Sequence, residues 1–210
     1  NVTLTGGRMV INNGDRLKGN VKNGGFLDVA GTIKGSLNNT GTVDFIGNGT
    51  INGRFRNTGT MLFDGEEAGF SSSAIARGSV ALDAPGGLTI IGGTLLNEVG
   101  GDIIVAGNSL QAARIVSDAE ISISENQILR SLSAIELNDG SVTTINTGGI
   151  EAVAINGAAG SSLSVTNGDV EGQLTTAGDF TSGGSSNVFG DVEITGQGTL
   201  TVRGKGLLIG

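Results

Sequence analysis

Apolar and polar positions alternate over much of the chain in short segments that are typical of β-strands. In Leu27-Asp-Val29 and in Ile33-Lys-Gly35-Ser-Leu37, apolar residues stand at every second position. This period of two places them on one face of an extended chain, which predicts strands with one buried face. Four stretches repeat the pattern of a strand, a gap and a second apolar-x-Gly-x-apolar segment: 9–21, 27–37, 43–55 and 163–174.

The connection that leaves each stretch is more regular still. Val21-x-Asn23-x-Gly25-x-Leu27 recurs from Leu37 and from Phe55, and Leu174-x-Thr176-x-Gly178-x-Phe180 is a distant copy. Glycine accepts positive φ, and asparagine tolerates the left-handed region, so both suit tight turns. If the turns stack about 4.8 Å apart, their asparagine side chains can form a hydrogen-bonded ladder. The residues predicted to form this turn ladder are Asn23, Gly25, Asn39, Gly41, Asn57, Gly59, Thr176 and Gly178.

These repeats predict an all-β fold, a single-stranded parallel β-solenoid with about 15–18 residues per coil. Residues 1–210 would then form one domain of roughly 12–14 coils, on the order of 60 Å long. The alternative is a series of ordinary β-hairpins. Hairpins would require primed two-residue turns, and few of the dipeptides that favour such turns occur.

The middle of the chain is less regular. Residues 66–79 lack the turn motif, and we expect a loop or a distorted coil there. Residues 124–137 contain little glycine and begin with a Ser-x-x-Gln sequence that resembles a helical capping box. Two strands are favoured over a short helix there, because Ile121-Ser-Ile123 and Ile135-Glu-Leu137 both alternate.

Composition fits stacked turns around an aliphatic core and excludes other classes. The chain has 39 glycines and 37% apolar residues without a Gly-X-Y period, which excludes collagen and argues against disorder. It has no cysteine and no histidine, which excludes disulfides, thiolate metal sites and Ser-His or Cys-His nucleophiles. The net charge of −8 argues against nucleic acid and against anionic membrane surfaces as partners. No apolar run approaches the roughly 20 residues of a membrane-spanning helix, so we expect no membrane insertion by this segment.

We expect no catalytic, cofactor-binding or metal-binding residues. Asp28 and Asp44 stand between inward-facing positions of consecutive coils, so they should point outward and increase solubility. The Gly-Gly-x-Gly-x-Asp repeat of calcium-binding arrays does not occur. Sugar-cleaving grooves use aromatic platforms, and this chain has no Trp and no Tyr. A polysaccharide-processing enzyme on this fold is therefore the least favoured function.

The two ends of the sequence do not resemble polar caps. A solenoid without caps exposes strand edges on which another chain can pair. The sequence also opens on Asn1 rather than on a methionine. We therefore expect an excerpt of a longer chain, with continuation of the solenoid or self-association at the ends.

The repeats resemble those of secreted bacterial proteins. Gly31-Thr-Ile-Lys-Gly-Ser-Leu-Asn-Asn-Thr-Gly-Thr-Val43 and Asn57-Thr-Gly-Thr-Met61 are similar to passenger regions of autotransporters and of filamentous-haemagglutinin-type adhesins. The resemblance covers residues 9–63 well and 150–203 loosely. It implies a secreted right-handed β-helix at a bacterial surface, used for adhesion or as a structural fibre. A host or cell-surface ligand would be its partner, and no catalytic residue is carried over.

A second resemblance gives the alternative function. Gly31-Thr-Ile-Lys-Gly-Ser-Leu37 is also similar to the coils of bactofilins, which are cytoplasmic β-helical proteins that polymerise end to end. It implies a polymerising scaffold, and a virion fibre or surface-layer component belongs to the same class. Bactofilin cores are shorter, more regular and less rich in Asn-Thr-Gly, so we expect the extracellular adhesive or structural rod first.

Overall fold

The computed structural model is an all-β parallel solenoid, as the sequence predicts. It describes residues 1–46, 49–63, 67–70, 74–76, 79–82, 88–107, 109–204 and 207–209. Within these ranges there is no helix, and the strand pairings are parallel. The alternating pattern therefore predicted the type of element correctly, and the repeats correctly predicted parallel rather than hairpin pairing.

The strands are short in the first coils, and several in the later coils are long and continue around a corner. In chain order they are β1 (Val2–Leu4), β2 (Arg8–Ile11), β3 (Arg16–Lys18), β4 (Val21–Asn23), β5 (Phe26–Val29), β6 (Thr32–Lys34), β7 (Leu37–Asn39), β8 (Thr42–Phe45), β9 (Thr50–Ile51), β10 (Phe55–Asn57), β11 (Thr60–Phe63), β12 (Glu67–Phe70), β13 (Ala74–Ala76), β14 (Ser79–Leu82), β15 (Leu88–Asn97), β16 (Asp102–Val105), β17 (Ser109–Ser117), β18 (Glu120–Ser131), β19 (Ala134–Leu137), β20 (Val142–Gly157), β21 (Ser162–Thr166), β22 (Asp169–Thr176), β23 (Asp179–Gly183), β24 (Asn187–Phe189), β25 (Val192–Ile194), β26 (Leu200–Val202) and β27 (Leu207–Ile209).

Each coil contributes one strand, or one part of a long strand, to each of three faces. Face A is the stack that begins with β1, β4 and β7 and ends with β25. Face B begins with β2, β5 and β8 and ends with β26. Face C begins with β3, β6 and β9 and ends with β27. The long strands β15, β17, β18, β20 and β22 each cross a corner and belong to more than one face.

Coil length varies along the chain and is greatest in its middle. Asn23 lies beside Asn39, 16 residues later, whereas Asn97 lies beside Ser117 across 20 residues. The coils are thus fewer than the roughly 12–14 expected from a length of about 15–18 residues. Part of the extra length lies at the corner between faces A and B, where later coils insert a turn. In these turns Gly101 donates its amide to Glu98 O at 2.8 Å, and Ser141 donates to Asn138 O at 3.0 Å.

A continuous apolar core fills the space between the faces. It extends from Ile11 to Val188 and is built almost entirely of valine, leucine and isoleucine. Phe45 and Phe55 add an edge-to-face pair with ring centroids 6.5 Å apart. Each fully buried aliphatic side chain contributes about 1.5–3 kcal/mol before the entropy of ordering is subtracted, and no coil buries its core without its neighbours.

Residues 124–137 form strands, so the alternative of a short helix is wrong. β18 and β19 cover most of the segment. The corner between faces B and C falls at Glu125 and Asn126, whose φ angles are 55° and 61°. Residues with side chains thus adopt the left-handed conformation here, and this explains why the corner could be made in a region with little glycine.

Only part of the irregular segment 66–79 is described. β12, β13 and the first residue of β14 lie within it and pair with neighbouring coils. Residues 66, 71–73 and 77–78 lie outside the described residues, so the expected loop or distorted coil at 66–79 stays a prediction.

Candidate functional site

The asparagines of the turn ladder lie on consecutive rungs at the end of face A. Asn23 Nδ2 donates to Asn39 Oδ1 at 2.7 Å, and Asn39 Nδ2 donates to Asn57 Oδ1 at 2.6 Å. All three side chains are at most 1% exposed. The ladder is therefore part of the interior.

Backbone carbonyls complete the hydrogen bonding of these amides. Asn39 Nδ2 lies 3.1 Å from Gly41 O in its own corner and 2.9 Å from Thr60 O in the next coil. Asn23 Oδ1 accepts from the Gly25 amide at 3.1 Å. Each side chain thus closes its own turn and joins it to the following one. Because buried amides are costly unless paired, this arrangement holds the corner in one geometry.

The glycines of the ladder serve a different purpose from the expected one. None of Gly25, Gly41, Gly59 and Gly178 has positive φ. Instead, a Cβ at Gly41 would lie closer to Gly25 O than the 3.0 Å that real Cβ atoms keep, and a Cβ at Gly59 would meet Gly41 O in the same way. Glycine is required here because each corner sits directly on the carbonyl of the corner below.

Thr176 and Gly178 form the same corner with a hydroxyl in place of the amide. The Gly178 amide donates to Thr176 Oγ1 at 3.0 Å, as Gly25 does to Asn23. A Cβ at Gly178 would overlap Ser161 O of the preceding coil. The hydroxyl closes its own turn.

The structure adds two members to the ladder that sequence reasoning missed, Asn97 and Ser117. Above Asn57, the rungs carry Ala76 and then Asn97, whose Nδ2 donates to Ser117 Oγ at 3.1 Å and to Glu120 O at 2.9 Å. The available signal was the Leu95-Leu-Asn97 end of β15. It was missed because the inserted turn places Val99, rather than glycine, two positions after the asparagine.

A second glycine stack lies at the corner between faces C and A. A Cβ at Gly35 would overlap Gly19 O, and one at Gly53 would overlap Gly35 O. Gly190 over Gly172 repeats the relation near the end of the chain. These are the glycines of the repeated apolar-x-Gly-x-apolar segments, and they bring faces C and A together through a two-residue corner.

The outward face of the first coils holds a groove that sequence reasoning did not foresee. It encloses about 360 Å³ between Arg8, Phe26, Asp28, Thr42, Asp44 and Leu62. Arg8 Nε donates to Asp28 Oδ2 at 2.6 Å, and the Asp28 side chain is only 8% exposed. Asp28 is therefore an ion-pairing group in this groove, which corrects its expected role as a freely solvated carboxylate.

Two further ion pairs join coils on the outside of the solenoid. Arg114 donates to Glu136 at 2.5 Å, and Arg130 Nε donates to Glu151 Oε2 at 2.6 Å. Both pairs are partly exposed, so each contributes less than about 1 kcal/mol.

Within the described ranges, His, Cys, Asp and Glu side chains form no group of three or more that could hold a metal ion. The same residues contain no helix long and apolar enough to cross a membrane.

The chain matches no protein-family model, and no curated protein or solved structure is significantly similar to it. The β-solenoid agrees with the fold that the autotransporter, haemagglutinin and bactofilin resemblances imply. None of these resemblances is supported by a sequence match.

Proposed function

We propose that this chain is a non-catalytic, rod-like segment of a bacterial surface or secreted fibre, with a structural or adhesive role. The observation that supports the proposal most directly is the continuous stacking of corners and core from Ile11 to Val188. The asparagines and glycines of the turn ladder are buried or lie in contact with the neighbouring coil, so they stabilise the stack of coils. The outward side chains then remain available for a partner.

The proposal places the segment outside the cell. Antibodies raised against residues 1–210 should label intact cells of the source organism, and mild external protease should remove the signal. A cytosolic protein of the same cells is the control, because it must become visible only after lysis.

Labelling that appears only in lysed cells would overturn the extracellular proposal. Filaments containing the chain in the cytosol would then favour the polymerising scaffold, the alternative function.

A further inference from the structure

The charges of this acidic protein are strongly segregated along the chain. Residues 1–62 carry seven basic and three acidic side chains, whereas residues 98–193 carry two basic and thirteen acidic ones. Successive coils occupy successive positions along the solenoid, so the segregation in sequence is also a segregation in space. The first coils are therefore basic, and the coils formed by residues 98–193 are acidic.

The basic side chains gather on one edge of the solenoid, where face C turns into face A. We call this the C/A edge. Lys18 and Lys34 lie beside each other on face C, and Lys22 and Arg56 flank Asn38 on face A. Together with two neighbours they form the basic patch: Arg16, Lys18, Lys22, Lys34, Arg54 and Arg56. All six are exposed, and within the described residues none makes an ion pair or side-chain hydrogen bond.

The same edge is acidic at the other end of the solenoid. Glu171 lies on face C, Asp191 lies in the corner, and Glu193 lies on face A. With Asp169, which accepts a hydrogen bond from Asn187, they form the acidic patch, and all four are exposed. The two patches therefore occupy equivalent surfaces of different coils.

We propose that two copies of this chain associate side by side, in antiparallel orientation, through their C/A edges. The basic patch of each copy then lies against the acidic patch of the other, and a twofold axis relates the two contacts. Such an isologous interface closes on itself and satisfies both patches. A long polyanion lying along the same edge would meet the acidic patch, so the charge pattern favours a second copy.

Two exposed apolar side chains add to this surface. Leu132 and Val153 are 60% and 72% exposed and lie in the C/A corners of neighbouring coils, between the patches in sequence. The proposed pairing covers the edge on which they stand. Exposed charge pairs contribute little individually and are screened by salt, so the pair of rods should be weak and sensitive to ionic strength.

Sedimentation velocity on the whole chain tests the proposal. We expect a dimer at low salt and a dissociation constant at least about tenfold weaker at 0.5 M salt, where the Debye length falls to a few ångströms. A basic-reversed variant carrying Lys18→Glu, Lys34→Glu and Arg56→Glu should be monomeric. An acidic-reversed variant carrying Glu171→Lys, Asp191→Lys and Glu193→Lys should also be monomeric.

The mixture of the two variants gives the sharpest result. Each reversed patch then faces a partner of opposite sign, so the mixture should form a heterodimer although neither variant associates alone. A control with three reversals away from the edge, Glu120→Lys, Asp139→Lys and Asp179→Lys, should still dimerise. Far-UV circular dichroism checks that every variant is folded.

Three results would overturn the proposal. The first is a wild-type chain that stays monomeric at low salt, including one that binds dextran sulfate through the basic patch instead. The second is a mixture of reversed variants that stays monomeric. The third is open-ended assembly in place of a dimer, since a closed antiparallel pair leaves no patch free. None of these results depends on where in the cell the protein resides.

Discussion

Asn39 shows how one side chain can fix the geometry of three coils. Its amide nitrogen lies within 3.1 Å of Asn57 Oδ1, Gly41 O and Thr60 O, and its oxygen accepts from Asn23. Removing this amide leaves buried acceptors and a buried donor without their partner. The loss of these hydrogen bonds therefore affects the coils on both sides of Asn39.

We expect Asn39→Ala to lower the free energy of unfolding by about 2–3 kcal/mol, because buried polar groups left unpaired each cost about 1–3 kcal/mol. Urea unfolding followed by circular dichroism measures the change. Asn38→Ala is the matched control, since Asn38 is exposed on the same strand and its loss should change stability by about 0.5 kcal/mol at most. Equal effects of the two substitutions would contradict a structural role for the ladder.

Gly41 provides a second test at the residue scale. Gly41→Ala should destabilise the protein by about 2–3 kcal/mol, because the added methyl group overlaps the Gly25 carbonyl and the coils must move apart. Gly6→Ala is its control, since Gly6 lies in the equivalent corner of the first coil with nothing within 4 Å of a Cβ. If both variants unfold at the same urea concentration, contact between coils is not the reason for glycine.

Stacked strands place similar side chains beside each other. Stacked asparagines form hydrogen bonds, whereas stacked carboxylates repel each other. Asp102 of β16 lies beside Glu120 of β18 on face B. Burial first, and the charge of Glu120 second, raise the pKa of the Asp102 carboxyl above its usual range. The folded protein therefore binds a proton at this site more readily than the unfolded chain does.

Asp102→Asn should accordingly stabilise the protein at pH 7, by roughly 0.2–1 kcal/mol for relief of a like-charged cross-strand pair. The raised pKa makes the wild-type carboxyl favour folding at low pH and oppose it as the pH rises through the folded pKa. The advantage of the variant should therefore shrink as the pH falls towards the ordinary aspartate range. Thermal unfolding between pH 3 and pH 7 measures it, and an advantage that is the same at every pH would exclude the ionised carboxyl as its cause.

At the scale of elements, alternation predicted the strands well and the corners less well. The pattern around Leu27 and Ile33 identified strands because burial of one face imposes a period of two. The corner at Glu125 and Asn126 could not be predicted in the same way, because left-handed residues other than glycine have no fixed sequence pattern. The inserted turns after Asn97 and Asn138 lengthen the coils and contain glycines with positive φ, Gly100 and Gly140.

At the scale of the whole molecule, sequence reasoning predicted the architecture but not the surfaces. The net charge of −8 describes the chain as a whole, whereas the stacking order collects Lys18, Lys34 and Arg56 on one edge. Only the coil register shows which outward positions become neighbours, since residues 16–23 apart in sequence lie side by side. The groove that holds the Arg8–Asp28 ion pair depends on the same register.

The fit of each corner glycine onto the carbonyl below means that, apart from turns inserted at corners, the length of this protein can change only in whole coils. Excision of residues 24–39 would join Asn23 to Thr40 and set Gly41 over the Gly7 carbonyl, where Gly25 now lies. Every remaining coil would keep a neighbour of the kind it already fits. Loss of a single strand residue would instead move the buried side chains that follow in that strand to the outer face, and the exposed ones to the core. Duplication or deletion of an entire coil is therefore a change that such a chain tolerates.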